Sequence, residues 1–550
     1  MDVKLKKELE NYNYLKSKAI AAFREGKLEQ ALDYAYVAAT YAWSVHLGIW
    51  YDEELEYLLS KIGECVNEGK DKFKYNLNKN QEKQKDVKSI AYVVSSLNDV
   101  GGHSEVLRQW VDILSNFVND QYLYITNVSN LPTKYSYLNN FKNKGITIKQ
   151  LDHNDSYVDR IKELIEYLGN DLPDITILFI NPNDVIAVTT LLTIPNKPYV
   201  IFFNHADHVF WLGRNIVDLL VEWRSESVKY SKKFRKIDKS CIVPLTTNIK
   251  PQKVSKTFYD IPENSTLSIS VGNFYKVLRD PDWDFFKTIE ELLEKFPNHY
   301  HLFVTNPPPR NVLEKYLPAD PDTRQRLIID GPLPHLEAVY GVADFLIETF
   351  PCAGGMVRVE AMACGLPIIA IRNKKFSLLS ETDALPPDYP FIASTEKEVV
   401  RYSSEFIENP EIRDQVGKWL YKYYKQKFSP EKVREILSSI IKNKINGENK
   451  VEMQSNFEEL SYNLEYAYSW SRKNSRFGPN RNLLFQSILK QSAFSGRHRF
   501  KFYIESIKNR EFISKKELVG SIVLAVVGWR GGILCKSLVL KRRMKFNVKK

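Results

Sequence analysis

Four short segments concentrate the residue types that can do chemistry, and the richest is ETFPCAGGMVRVEAMACGLPIIAI, residues 348–371. An apolar strand pattern runs to Phe350, a loop with Gly354 and Gly355 follows, and helical spacing begins at about Met356 and continues to Cys364. The first N–H groups of a helix have no intrahelical acceptor and lie at the positive end of its dipole. Glycines at that point let an anion approach the backbone closely. Gly354, Gly355, Met356 and Val357 are therefore candidate contacts for a diphosphate. Glu360, about one turn into the helix, is placed to accept hydrogen bonds from ribose hydroxyls. Cys364-Gly365-Leu366-Pro367 ends the helix and returns the chain to a strand. Read by itself, this is also the pattern of an ordinary strand–loop–helix junction.

Three further segments add charge and imidazoles. In SISVGNFYKVLRDPDW, Asn273, Phe274, Tyr275 and Lys276 follow a strand; a lysine there can neutralise charge developing on a leaving group. Lys276 is also one of 78 Lys and Arg residues, most of which are plain surface charges. VVSSLNDVGGHSEVLRQW places Gly101, Gly102 and His103 in a strand-to-helix turn, with His103 expected to point into a cleft. PYVIFFNHADHVFWLGRN places Asn204, His205, Asp207, His208 and Trp211 at a strand exit. A His–carboxylate pair can orient a hydroxyl or take its proton; a structural hydrogen-bond network is the competing reading, with a metal site the weakest. His335, in GPLPHLEAVYGVADFLIE, is expected on the helix before the strand that leads to the glycine loop, either against a nucleotide base or exposed at the helix start. Phosphate loops of the Walker type, His-Glu-x-x-His and Gly-x-Ser-x-Gly motifs do not occur.

Elements that position such residues can be traced along the chain. SIAYVVSSL, QYLYIT, ITILFIN and PYVIFFN are short apolar runs separated by helical stretches, the pattern of parallel βαβ units. A second series, TLSISVGN, HYHLFVTN, RLIIDG, FLIETF and LPIIAIRN, is spaced by helical segments such as DWDFFKTIEELLEKF. The expected fold class is α/β, with two facing Rossmann-like domains and ligands at the carboxyl ends of the strands. The expected organisation is a helical region over 1–68, a polar linker over 69–87, a first Rossmann-like domain over 88–250, a second over 251–445, and a basic, partly apolar helical extension over 446–550. In the first region, AIAAFREGKLEQALDYAYVAATYAW reads as one helical hairpin of tetratricopeptide type around Gly26; a working array needs about three repeats, so a hairpin packed on the next domain is expected.

Charge is unevenly spread. The net charge is +11, and residues 451–550 hold 20 Lys and Arg against seven Glu and no Asp, so the basic excess belongs to this end. That excludes a basic enzyme body for nucleic acid and leaves a basic tail for an acidic surface. Residues 518–529, LVGSIVLAVVGW, are apolar but too short to span a bilayer. Beside the polybasic end they read either as an anchor to an anionic membrane surface or as a helix buried on the body. Five cysteines without a Cys-x-x-Cys pair, and an N-terminus without an apolar signal core, point to a cytoplasmic setting, at the inner face of the membrane if the anchor reading holds.

Residues 348–371 resemble the donor-site motif of glycosyltransferases of the GT-B architecture. The half EAMACGLPII is similar to the large retaining family whose signature carries two glutamates separated by seven residues. The half ETFPCAGG, the Asn-Phe-Tyr-Lys run and the Ser-Ser…His turn are similar to the O-GlcNAc transferase-like family, which also has a loop resembling VFWLG. The resemblance covers about residues 88–445. In the retaining signature Glu360 is the second glutamate, while the first falls on Cys352, a departure that puts retention in doubt. The resemblance implies a hexosyl- or N-acetylhexosaminyl-transferase with a nucleotide sugar, UDP-linked by preference, as co-substrate, and no metal or permanently bound cofactor. It assigns Gly101, Gly102, Asn273, Lys276, His335, Gly354, Gly355, Met356, Val357 and Glu360 to the donor side. His103, His205, Asp207 and His208, together with Lys276, are the catalytic candidates. The expected acceptor is a glycan or lipid-linked molecule of cell-envelope polysaccharide assembly, with a protein acceptor as runner-up; a nucleotide-sugar 2-epimerase and a non-catalytic partner subunit are the remaining readings.

Overall fold

The computed structural model of the protein describes residues 3–67, 87–99, 102–331, 333, 336–380, 382–446 and 461–474. Gly101, His335, most of the linker, and the basic and apolar segments beyond 474 lie outside the described residues. Among the described residues, no helix is long and apolar enough to cross a membrane.

Two parallel sheets form the frame. The first contains β1 Ser89–Val94, β2 Asp120–Ile125, β3 Thr147–Gln150, β4 Ile175–Phe179, β5 Tyr199–Phe203, β6 Leu219–Glu222 and β7 Ser240–Ile242, in the order β3-β2-β1-β4-β5-β6-β7. The second contains β8 Thr266–Val271, β9 His299–Val304, β10 Leu327–Asp330, β11 Phe345–Ile347, β12 Ile368–Ile371 and β13 Ile392–Ala393, in the order β10-β9-β8-β11-β12-β13. Every residue of β1 is buried, as a central parallel strand covered by helices on both faces requires. Tyr92 of β1 sits opposite Leu123 of β2 and Ile177 of β4, in register with both neighbours. In each sheet the strand order reverses beside the first strand, between β1 and β4 and between β8 and β11. A crevice opens at such a reversal. The fold is thus α/β with two Rossmann-like units.

Local chemistry sets the helix boundaries. Ser156 caps the helix Tyr157–Asp171 by accepting from the Asp159 N–H at 3.0 Å. Asp184 caps Val185–Thr193 through the N–H groups of Ile186 and Ala187. The N-terminal region forms the expected hairpin around Gly26, Val3–Arg24 and Leu28–Ser44, and adds a third helix, Glu53–Asn67. Gly26, at φ +69°, makes the turn between the first two. The region packs on the first sheet unit through two carboxylates that cap its helices. Glu29 accepts from the N–H groups of Tyr157 and Val158, both at 2.9 Å, and Glu56 from those of Gly213, Arg214 and Asn215. Gly63 lies against Thr193 so closely that a Cβ would sit 1.7 Å from its hydroxyl.

The chain crosses between the sheets after β7, and a second crossing is made by residues 461–474. Tyr462 pairs with Phe376, and the helix Leu464–Asn474 reaches the N-terminal region, where Ser471 Oγ accepts from the His46 N–H at 2.8 Å. Trp50, Tyr230, Phe234, Phe376 and Tyr462 form one aromatic junction there.

Candidate functional site

Of the residues expected on the donor side, Asn273, Lys276, Gly354, Gly355, Met356, Val357 and Glu360 lie on the segments at the reversal of the second sheet. β8 and β11 are neighbours, so the segments leaving their carboxyl ends converge. After β8, the short 3-10 turn Phe274–Val277 presents Lys276, whose Nζ donates to the carbonyl of Ala353 at 2.6 Å. After β11 the chain runs through the loop to Gly354, and the helix Gly355–Ala363 begins without a side-chain cap. A Cβ on Gly354 would lie 3.2 Å from Lys276 Nζ, so the glycine is what lets the ammonium approach the helix start. An ammonium and the uncapped first turn of a helix thus share one point, where an anion gains from both. Asn273 is exposed at the start of the 3-10 turn, and its carbonyl accepts from the Lys276 N–H.

The anchoring of that helix differs in detail from the sequence expectation. β11 stops at Ile347, not at Phe350, and the helix spans Gly355–Ala363, ending one residue before Cys364. Glu348 turns inward instead and forms a buried pair with Arg358, at 2.5 and 2.7 Å. Glu348 Oε2 also accepts from the Ile371 N–H, and Arg358 donates to the Ser380 carbonyl. A buried, fully bonded pair of this kind is costly to break, and it fixes the helix whose start faces the cleft. Gly365, at φ +66°, closes the helix. Cys352, where the retaining signature has a glutamate, is a buried thiol facing the Ala353 carbonyl at 3.6 Å.

Glu360 lies in the second turn of the helix and accepts from the Tyr340 hydroxyl at 2.8 Å. Burial pushes its carboxyl up to about 7, the Tyr340 hydrogen bond opposes this, and the nearby Glu105 and Glu337 add to it. Glu105 belongs to the first sheet's helix Gly102–Leu114. The two units therefore face each other through these helix starts: a Cβ on Gly102 would lie 3.8 Å from Met356 Cβ.

The first unit supplies imidazoles. His103 opens the helix after β1, and His205 follows β5; their rings are 4.2 Å apart at 44°. Phe179, ending β4 between those strands, packs 5.8 Å from the His103 ring. His103 Nε2 and His205 Nδ1 are buried without a hydrogen-bond partner among the described residues, which leaves both able to bond a ligand. Burial pushes His103 down to about 4, against a hydrogen bond to the Phe179 backbone. Burial and the neighbouring His103 and His208 push His205 well below its ordinary value, against the attraction of Asp207. Both rings are therefore neutral near pH 7.

The Asn204–Trp211 segment divides into two roles. His208 Nδ1 lies 3.1 Å from Asp207 Oδ1, the expected His–carboxylate pair. Asp207 is also held by Arg224 at 2.7 and 3.1 Å and by Ser227 Oγ at 2.5 Å. Burial pushes Asp207 up, but Arg224, His208 and Ser227 outweigh it and hold the carboxyl below its ordinary range. Asn204 and Trp211 are structural. The Asn204 amide donates to both oxygens of Glu222 at 3.0 Å, and Trp211 is a core residue against Phe202 and Arg235.

Arg224 also crosses to the second unit, donating to the Leu378 carbonyl at 2.8 Å and meeting Asp383 at 3.4 Å. Asp383 in turn accepts from the Glu226 N–H at 2.7 Å and the Ser225 hydroxyl at 3.0 Å, capping a first-unit helix from the second unit. Nothing in the sequence marks Tyr340, Arg224 or Asp383, because their partners lie 20, 17 and more than 150 residues away.

No protein-family profile and no curated protein matches this chain. Similar solved structures exist. A glycosyltransferase from Rickettsia africae ESF-5 is 13% identical with a TM-score of 0.50, covering 66% of this chain and 99% of its own. A mutant O-GlcNAc transferase of Thermobaculum terrenum is 11% identical with a TM-score of 0.48, covering 80% and 98%. The Anabaena HepE protein, solved with UDP-glucose, is 11% identical with a TM-score of 0.49, covering 64% and 99%. The likeness at this identity is one of fold: the chain has the two-unit Rossmann-like architecture found in GT-B glycosyltransferases.

Proposed function

We propose that the protein is a glycosyltransferase that moves a sugar from a nucleotide sugar, UDP-linked by preference, to a hydroxyl of a glycan or lipid-linked acceptor. One observation carries the reading: the Lys276 ammonium shares its position with the uncapped start of the Gly355–Ala363 helix, at the reversal of the second sheet and opposite the imidazole pair. Backbone groups of Gly354, Gly355, Met356 and Val357 receive the diphosphate, and Glu360 takes the ribose. The acceptor oxygen attacks the anomeric carbon while the bond to the diphosphate oxygen breaks. The nucleotide leaves with that electron pair, and Lys276 compensates its charge. The acceptor proton passes to an unprotonated imidazole nitrogen, His103 or His205, with His208 held by Asp207 beside them. Closure of the two units keeps water from the donor.

The test is product analysis. Purified protein is incubated with UDP-, GDP-, ADP- and CMP-sugars, with and without glycan and lipid-linked acceptors. Transfer, or slow hydrolysis of one donor that is lost in Lys276→Ala and Glu360→Ala, supports the reading. A changed sugar epimer formed without acceptor replaces it with 2-epimerisation, and sugar attached to a polypeptide moves the acceptor to protein. No turnover of any donor contradicts it and favours a non-catalytic subunit, the reading raised by Cys352 standing where the retaining signature has its first glutamate.

A further inference from the structure

Glu360 is held by a side chain that no sequence motif marks. Tyr340, buried in the short helix Glu337–Val342, donates its phenol to Glu360 Oε2 at 2.8 Å. Burial and the Glu360 charge push the phenol well above its ordinary value, so it keeps its proton and remains the donor. With Oε2 engaged, Oε1, which has no partner among the described residues, is the oxygen left for a ligand. A carboxylate fixed in this way pays less entropy on accepting a second hydrogen bond than a free one.

The surroundings make this carboxylate sensitive to protons. Glu337 lies on the same element as Tyr340, Cys364 follows the helix that carries Glu360, and Glu105 sits in the first turn of the facing helix, whose Gly102 packs against Met356. Glu105 is itself bound by Arg108, through Nε at 2.8 Å, and by Gln109 at 2.8 Å. The like charges of Glu105 and Glu337 favour the protonated form of Glu360, and the Tyr340 hydrogen bond favours the ionised one.

Resting on the nucleotide-sugar reading above, we propose that Tyr340 is a positioning residue for nucleotide recognition, orienting Glu360 so that Oε1 accepts from a ribose diol, and that Glu105 makes this recognition proton-sensitive from the facing unit. A diol is bound by the ionised carboxylate. Binding is therefore full above the Glu360 pKa of about 7 and weakens as pH falls through it. Loss of the Tyr340 hydroxyl removes support from the ionised form and moves this limb to higher pH. Loss of the Glu105 charge moves it to lower pH.

The experiment is calorimetric titration of the full chain with UDP, GDP and ADP between pH 5.5 and 8.5. The nucleotide bound most tightly is then compared with its 2′-deoxy form, in wild type, Tyr340→Phe and Glu105→Gln. The expected result is roughly tenfold weaker binding in Tyr340→Phe, as for one hydrogen bond to a charged group. That variant also loses most of the ribose preference, and the acid limbs of the two variants shift in opposite directions. Unchanged affinity and an unmoved limb in Tyr340→Phe, with wild-type binding intact, overturn the inference. So does a lowered melting temperature with the limb in place, which marks a merely structural role. Absence of nucleotide binding in the wild type overturns the parent reading as well, and is thereby distinguishable.

Discussion

The two helix starts that face each other across the cleft are built from opposite chemistry. On the second-unit side, the Gly355–Ala363 helix begins uncapped beside the Lys276 ammonium and is clamped underneath by Glu348 and Arg358. On the first-unit side, the Gly102–Leu114 helix carries in its first turn His103, whose ring meets His205, and Glu105. One side gathers positive potential; the other gathers neutral imidazoles with unused nitrogens and a negative charge. Under the proposed function, a ligand that spans both has an anionic end and a neutral end with hydroxyls. A nucleotide sugar meeting a sugar acceptor has that form.

Breaking the clamp has the largest expected effect. Arg358→Met leaves Glu348 buried without its partner and should cost about 3–5 kcal/mol of stability, read as a lowered midpoint in urea. Next is Lys276→Ala. With the fold intact by circular dichroism, turnover of the donor should fall about 10²–10³-fold, the usual result of deleting one preorganised charge-stabilising group. His205→Phe tests the opposite side. It should lower turnover about 10²-fold while leaving the dissociation constant of the nucleotide within about twofold. If His205→Phe instead weakens nucleotide binding as much as Lys276→Ala does, the two sides are not chemically distinct.

The smallest effect concerns acid stability. Burial pushes the His103 imidazole from its ordinary value of 6.5 down to about 4 in the folded chain. A depressed pKa means that its neutral form stabilises the fold fully above about 6.5, and that this contribution is lost as pH falls toward 4. His103→Phe should therefore flatten the decline of melting temperature over that window. An equal decline in both proteins would show that the imidazole is solvated and not held neutral in the cleft.

Much of this was legible in the sequence, and the gaps have physical causes. The long apolar strands β1, β4, β5, β8 and β9 stand out because both faces are buried. β3, β6, β7 and β13 did not, being two to four residues long and placed toward the sheet edges, where few neighbours impose a pattern. The glycine loop at Gly354 and Lys276 was readable because backbone approach and charge leave a local signature. Tyr340, Arg224 and Asp383 left none, since their contacts exist only with partners brought in by the fold. The segment ending FLIETF misled for a related reason: Glu348 breaks off the strand because Arg358, ten residues on, reaches back to bind it. In Asn204–Trp211, the sequence could not separate His208, half-exposed beside Asp207, from Asn204 and Trp211, which are buried in the framework.

The most direct test is a calorimetric titration of the purified full chain with UDP-, GDP-, ADP- and CMP-sugars, run in parallel on Lys276→Ala. The expected result is saturable binding of one nucleoside diphosphate sugar, weakened at least tenfold in the variant while the melting temperature holds. Absence of binding to every donor, or equal affinity in Lys276→Ala, would contradict the assignment of the diphosphate to the Lys276 and Gly355 helix start.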